Sequence, residues 1–518
     1  ADDVIYTLDT YFGQKDKLTY WGVATITGYV KEYSKIDDYT IELETTHPAY
    51  DIHSVLGVNT WGSSFNIVPK HIFEQQADIS EFRNTQPVCL GPYTMTEFDP
   101  SGYWALWERR EDWKNSAWGW QGEPKAKYVL YKDFGTEEKR VLALTRNLYD
   151  VDTFMSPDSI KAAQAYSEYV ETWNPNVPYH NMDDACQYGI LINNIKPPYD
   201  QLEVRWALAL SLDMKSVGIN ALSGEFKASA LPMVDIPILR PLYYEPQMDW
   251  LRNLTLPDGY QPFDENFGAD LATMVKEDLG NPDVPTDLQE IKDGFGLGWW
   301  KYDPEEAAKL LESVGFTKNA DGIWLKPDGE VWEISFVFPG DWNNVLQRTG
   351  FSMADSWTKF GLTINSQQLD HAGWNTAMNT NSLLDILLNW TPYCAFKPNV
   401  NNTYRSLLSE YVDDDPNATT SITGNLSRIK NAELDALIET LVSTDPTTDL
   451  YNQTVLDIQR IIVENMHHLG VMNIPTTIPT NNYYWDNWPK QDNYYAEPYS
   501  WWSSFKYILQ NIEPTGNK

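Results

Sequence analysis

From Gly189 to Asp213 the hydrophobic pattern changes period once, which predicts a strand, a turn and a helix in that order. Ile190, Leu191 and Ile192 are a short apolar run and read as a buried strand. Asn193 and Asn194 follow. Pro197-Pro198 has no N–H groups for a ladder or a helix, so the chain must turn there. Beyond Asp200, Val204, Ala207, Leu208, Ser211 and Leu212 recur at spacings of three and four, the inner stripe of a helix.

The same reasoning extends along the chain. Asp303 is placed to cap a helix, with Pro304 in its first turn, Glu306 completing the capping pattern and Gly315 ending it. Its predicted buried stripe is Ala307, Leu310, Leu311 and Val314. Asp321-Gly322 and Asp328-Gly329 are turn dipeptides flanking a hairpin. Ile334, Phe336 and Phe338 alternate with Glu333, Ser335 and Val337, the pattern of a half-buried strand. Helices are predicted near 138–146 (Val141, Leu142 and Leu144 inward), 345–360, 373–378, 432–442 and 448–466, and strands at 362–366, 384–388 and 469–473. Residues 1–86 alternate short β-like runs with turns, and 239–300, rich in Pro, Asp and Gly without a sustained period, read as a surface insertion. Strands alternating with helices place the chain in the α/β class.

A chain of 518 residues is too long for one core, so two or more lobes are expected. No run approaches the ~18 apolar residues a membrane helix needs. Lys plus Arg is 38 against Asp plus Glu 73, a net charge of −35 that repels phosphate backbones and excludes nucleic acid as a partner. Cys89, Cys186 and Cys394 are far apart, with no CxxC and no His at ligand spacing. They are expected to be buried thiols, with no zinc and no cofactor. Sequons begin at Asn253, Asn401, Asn417, Asn425 and Asn452; with Asn, Ser and Thr this common a handful arises by chance, but in an organism that glycosylates exported proteins the crowding between 401 and 454 marks an exposed face.

Several blocks together resemble the extracytoplasmic solute-binding proteins, family 5, of ABC importers, which take up oligopeptides, nickel complexes and oligosaccharides. They are Ala1–Asp9 (ADDVIYTLD), Ile67–Ile72 (IVPKHI), Cys89–Thr94 (CLGPYT), Trp107–Trp113 with Tyr128–Tyr131, the 189–213 stretch with its "VRxALxLxxD" helix, and Tyr302–Gly315. The resemblance implies a two-lobed periplasmic-binding-protein type II (cluster C) fold with an extra small subdomain in the first lobe. It implies a small subdomain over 1–90, the main first lobe over 91–205, the second lobe over 206–482, and a return segment over 483–518. Family members carry a further N-terminal part before the first block, so the sequence reads as an incomplete mature protein. The implied partners are an ABC transporter permease and ATPase, the location is extracytoplasmic, and membrane attachment is by an anchor not present in this sequence. The lobes are expected to close on the ligand without turnover.

Aromatic residues carry the specificity reading. The 22 Trp and 31 Tyr raise the aromatic share to 14%. A sugar has an apolar C–H face and a hydroxyl rim, so its site needs flat rings beside amides or hydroxyls. Trp beside Asn recurs at Asn59-Thr60-Trp61, Trp342-Asn343, Trp374-Asn375, Asn389-Trp390 and Asn487-Trp488. Trp342 and Trp390 fall at strand ends, where α/β ligand sites form. In the family the positions of Trp374 and Trp390 line the pocket. The expected ligand residues are Trp21, Trp61, Asn194, Trp342, Trp374, Asn389, Trp390 and Tyr393. Trp299-Trp300 and Trp501-Trp502 read as packing.

Peptide binders of the family follow the pocket Trp with an acidic element that pairs with the ligand's amino terminus. Residues 391–398 here contain no carboxylate, only the hydroxyls of Thr391 and Tyr393 and the cation Lys397. The 486–499 segment resembles the tail of a cellobiose-binding member. The sequence therefore favours an oligosaccharide, with an oligopeptide as the alternative. A glycoside hydrolase is a second alternative, since its carboxylate pair has no short motif, although no GxSxG, HExxH or P-loop occurs. A scaffold without a ligand is a third.

Overall fold

The computed structural model describes residues 1–518 apart from 16, 19, 51, 60–61, 64, 176–183, 381–384 and 416–424. The chain forms two compact units: Ala1–Met155 with Ser159–Trp173 and Ile478–Lys518, and Ser156–Asp158 with Asn174–Thr477. The division falls at 173/174 and 477/478, whereas 205/206 and 482/483 were expected. The strand Gln187–Ile192 lies inside the second unit's sheet and holds its surroundings there. Thr480 and Asn481 pair with Glu171 and Val170, so the return to the first unit begins before 483.

The second unit is built on five strands: β1 (Gln187–Ile192), β2 (Glu333–Pro339), β3 (Thr363–Leu369), β4 (Ile386–Trp390) and β5 (His468–Asn473), in the order β3-β2-β4-β1-β5. β2 runs parallel to both β3 and β4, and β1 is antiparallel to β4 and β5. Every residue of β1 is buried. The expected half-burial of β2 does not hold, because Val337 is fully buried. β2 lies between two strands with both faces covered, and such strands read as continuous apolar runs.

Helix α1 (Asn344–Phe360) packs across β2, and Gly350 makes that approach possible: a Cβ there would lie 2.5 Å from the Phe338 ring. Helix α2 (His371–Thr380) follows β3. The predicted Leu202–Leu210 and Pro304–Ser313 helices are present, the latter capped by Asp303, whose side chain accepts from the Glu306 N–H.

Much of 239–300 is core and not a surface insertion, the mostly exposed part being 276–293. Phe267, Leu271, Trp299 and Trp300 are buried, and Trp300 meets Trp206 with ring centroids 5.1 Å apart. The helices here, such as Phe267–Glu277 and Leu288–Phe295, are short and loop-separated, so no period is sustained, although Phe267–Glu277 buries one face and Leu288–Phe295 its last two residues.

In the first unit, helices Asp2–Gly13 and Trp21–Tyr29 share a core of Leu8, Tyr11, Val23, Ile26 and Tyr29. A three-stranded sheet (Tyr93–Phe98, Trp104–Arg109, Tyr128–Lys132) follows. The C-terminal segment packs Trp488, Ala496, Ile508, Leu509 and Ile512 against Ala126. Leu142 is 55% exposed and not inward: it sits mid-helix in Glu137–Leu144, while Ala143 and Leu144 take the buried side. Trp501 is partly exposed but packs as expected, edge-on to Phe154 at 5.4 Å and to Tyr499 at 5.1 Å.

Two further expectations are corrected. Cys186 and Cys394 form a disulfide across 208 positions, S–S 2.03 Å, because both follow from the β1–β4 pairing; Cys89 is free and only half-buried. The sequon crowding does not mark an exposed face. Asn401 and Asn425 are each 1% exposed, and the Asn425 amide donates to Leu407 O and Ile429 O. Asn253 is exposed, Asn452 half-buried, and Asn417 lies outside the described residues.

Candidate functional site

Because β2, β3 and β4 run the same way, their C-terminal ends share one edge of the sheet. Three tryptophans reach that edge from three strands. Trp342 lies three residues past the end of β2, Trp374 is in α2 just past β3, and Trp390 is the last residue of β4. Trp342 and Trp390 are close to parallel, 16° between planes with centroids 6.3 Å apart. Trp374 meets both edge-on, at 5.3 Å and 5.9 Å. Beneath them Leu191, Val337 and Leu387 provide an apolar floor.

Each ring is held by local structure. Gly340 N–H and the Trp342 indole N–H both donate to Leu369 O, at 2.7 Å and 3.0 Å, which ties the β2 loop to the end of β3. Asn343 caps α1 by accepting from Leu346 N–H and donates to the Tyr188 hydroxyl, each at 3.1 Å. Burial pushes the Tyr188 hydroxyl pKa upward, so it stays neutral, and its ring meets Trp390 at 5.1 Å. Asp370 accepts from Gly373 N–H at 2.7 Å and starts the turn that presents Trp374. His371 stacks edge-on to Trp342 at 4.9 Å. Trp374 is 7% exposed, and its indole N–H has no hydrogen-bond partner among the described residues. Trp342 and Trp390 keep partly open faces. The arrangement offers two aligned aromatic faces, able to cover an apolar ring or chain.

The predicted site residues divide accordingly. Trp342, Trp374 and Trp390 come together. Asn389, next to Trp390, is buried and paired in register with Gly189. Asn194 is not free for a ligand: its amide donates to Ile192 O, Ser427 O and His467 O, and its oxygen meets His467 Nδ1 at 2.8 Å. Tyr393 is fully buried against Tyr404, with its hydroxyl hydrogen-bonded to His468 Nδ1. Thr391 is likewise buried and bonded to Gln187. Both hydroxyls point into protein because the segment after β4 continues against β1. Trp61 lies outside the described residues, as does the side chain of Trp21. Tyr188, Asn343 and His371 were missed; only the strand register, which sequence does not carry, puts Tyr188 beside Trp390.

Among the described residues no group of three His, Cys, Asp or Glu is placed to hold a metal ion, and no helix is long and apolar enough to cross a membrane.

Residues 1–409 match the family model described as Bacterial extracellular solute-binding proteins, family 5 Middle. No curated protein matches. Among solved structures, the chain is similar to a mannohexaose-bound periplasmic oligopeptide-binding protein of an oligopeptide ABC transporter from Thermotoga maritima, at 20% identity and TM-score 0.75, covering 100% of this chain and 84% of that one. The oligopeptide-binding protein AppA from Bacillus subtilis, in complex with a nonapeptide, matches at 16% identity and TM-score 0.66 over 99% and 83%. NikZ from Campylobacter jejuni, in complex with Ni(L-His), matches at 14% and 0.65 over 99% and 84%. These likenesses show a two-lobed periplasmic-binding-protein fold of mixed helix and sheet.

Proposed function

The chain belongs to the bacterial extracellular solute-binding proteins, family 5, and from that premise we propose that its ligand is an uncharged oligosaccharide, of the cello-oligosaccharide or a related kind. Membership makes the protein the extracytoplasmic substrate-binding component of an ABC transporter, working with permease and ATPase subunits, and not an enzyme. In the proposed role Trp342 and Trp390 stack on sugar C–H faces, and the protein is held at the membrane surface.

The observation that carries the reading is the near-parallel Trp342 and Trp390 pair on a strand-end edge. The lack of any carboxylate in 391–398 supports it, because a desolvated ammonium without a partner costs several kcal/mol. Affinity should therefore change little with salt. The Thr391 and Tyr393 hydroxyls, spent inside the protein, are not part of the proposal.

One observation favours an oligopeptide instead: Asp370 is exposed one turn before Trp374 and has a carboxylate oxygen to offer an ammonium. Calorimetry with mannohexaose, cellohexaose, xylohexaose and tri- to nonapeptides separates the two. Micromolar sugar binding, unchanged between low and high salt and with the sugar recovered intact, supports the proposal. Micromolar peptide binding that is abolished by amino-terminal acetylation and by Asp370→Asn replaces it with the peptide reading, and a cleaved sugar refutes binding without chemistry.

A further inference from the structure

We infer that the Cys186–Cys394 disulfide positions Trp390 in the aromatic cluster, so that ligand affinity depends on the bond as well as stability. The inference rests on the cluster being the binding surface. The β4–β1 ladder ends at the pair Trp390 and Tyr188, the two residues whose rings meet at 5.1 Å. Beyond it Pro392 has no N–H to donate, so the regular ladder cannot continue. What remains is Thr391 N–H to Gln187 O at 2.9 Å and Ala395 N–H to Ala185 O at 2.8 Å, on either side of a turn closed by Cys394 N–H to Pro392 O. The covalent bond ties the end of that turn to the residue just before β1, four positions after Trp390 and two before Tyr188.

Other contacts keep the local fold when the bond is absent. Gly189 leaves space for the Thr391 methyl, since a Cβ on it would come within 2.5 Å of that carbon. Thr391 also bonds the Gln187 side chain. Trp390 is less secure, as a partly open ring on the last residue of a strand. Without the disulfide its setting is ordered only when ligand binds, and ordering a large side chain and its loop on binding lowers affinity.

The test uses the Cys186→Ser/Cys394→Ser double variant, the folded wild-type protein reduced with a phosphine, and Cys89→Ser as control. The ligand-free readout is near-UV circular dichroism, in which closely packed indoles give a signature set by their mutual geometry. The expected result is an unchanged far-UV spectrum with a near-UV loss that matches the difference produced by Trp390→Phe, and a mannohexaose Kd about tenfold higher. Cys89→Ser leaves both readouts unchanged. If the double variant does not fold, the reduced wild-type protein gives the same two readouts. An unchanged near-UV spectrum overturns the inference, as does a changed spectrum with unchanged affinity in a protein that binds mannohexaose. If the wild-type protein binds no sugar at all, the oligosaccharide reading fails and the spectrum alone decides the positioning role.

Discussion

Truncating Trp390 and Trp374 separately should give opposite signatures. Trp390 touches Trp342, Trp374 and Tyr188 by ring contacts but sits at a strand end with part of its face open. Aromatic pairs contribute ~0.5–1.5 kcal/mol each, and partial exposure reduces what is lost, so Trp390→Ala should destabilise by about 2 kcal/mol. Loss of a partly exposed aromatic anchor should weaken binding by ~1–3 kcal/mol, roughly five- to 150-fold. Trp374 is the wedge: 7% exposed, on the Leu191, Val337 and Leu387 floor. Trp374→Ala leaves a cavity and should cost ~3–5 kcal/mol of stability, in the range of buried Trp truncations. Urea unfolding gives the stability change and calorimetry with the tightest-binding panel ligand gives the affinity. A Trp390→Ala protein with wild-type affinity and several kcal/mol less stability would show that the ring is packing, and the binding surface would have to be sought elsewhere.

Three other outcomes follow from the burial of particular groups. Asp235 is fully buried, bonded through both oxygens to Arg240 and close to Lys227, so Asp235→Ala removes the buried carboxylate that faces both cations, leaves Arg240 with Asp293, and should cost about 3 kcal/mol in urea unfolding; a loss below 1 kcal/mol would show that water reaches the pair. His467 and His468 have pKa values pushed by burial down to about 3, below the unfolded 6.5, so each supports stability above pH 6.5 and loses it as pH falls towards 3. The slope is about 1.4 kcal/mol per pH unit per histidine across that window, and an unfolding midpoint that stays flat from pH 6.5 to 4.5 would contradict the burial. In a glycosylating host, mass spectrometry should find Asn253 modified and Asn401 and Asn425 bare, because the latter two amides are enclosed.

What the sequence revealed depended on how local the cause was. Asp303, Pro304 and Gly315 act within one helix, and that helix appears as expected. The strand ends bearing Trp342 and Trp390 were readable from short apolar runs followed by polar residues. Val337, Tyr188 and the disulfide were not, because each depends on which strand lies beside which: the same alternation in β2 suits an edge strand or a covered one. Asn194 and Tyr393 failed for a related reason. Their polar groups suit a ligand as well as they suit the buried His467 and His468, and only the position of β5 beside β1 decides between the two. The 239–300 region misled because short helices between Pro- and Gly-rich loops show no sustained period even where they are buried, as Phe267–Glu277 is on one face.

The register that hides these features from the sequence also brings the three rings together. Trp342 is tied to Leu369 by its indole N–H, Trp390 is the last rung of the β4–β1 ladder, and Trp374 is wedged under both. With the Cys186–Cys394 bond closed, three separate segments therefore present their rings together, which reduces the ordering left for a ligand to impose. Such a surface selects by shape: a flat apolar ring gains from both faces, while a flexible chain must lose its own freedom to match them. Selectivity between sugars then depends on hydroxyl partners, and the Trp374 N–H, buried with no partner among the described residues, is a group that a small shift of α2 would bring into play. Trp374→Phe keeps the ring and removes that donor. If its affinity loss differs between mannohexaose and cellohexaose, the N–H contributes to sugar choice; equal losses would assign Trp374 to packing alone.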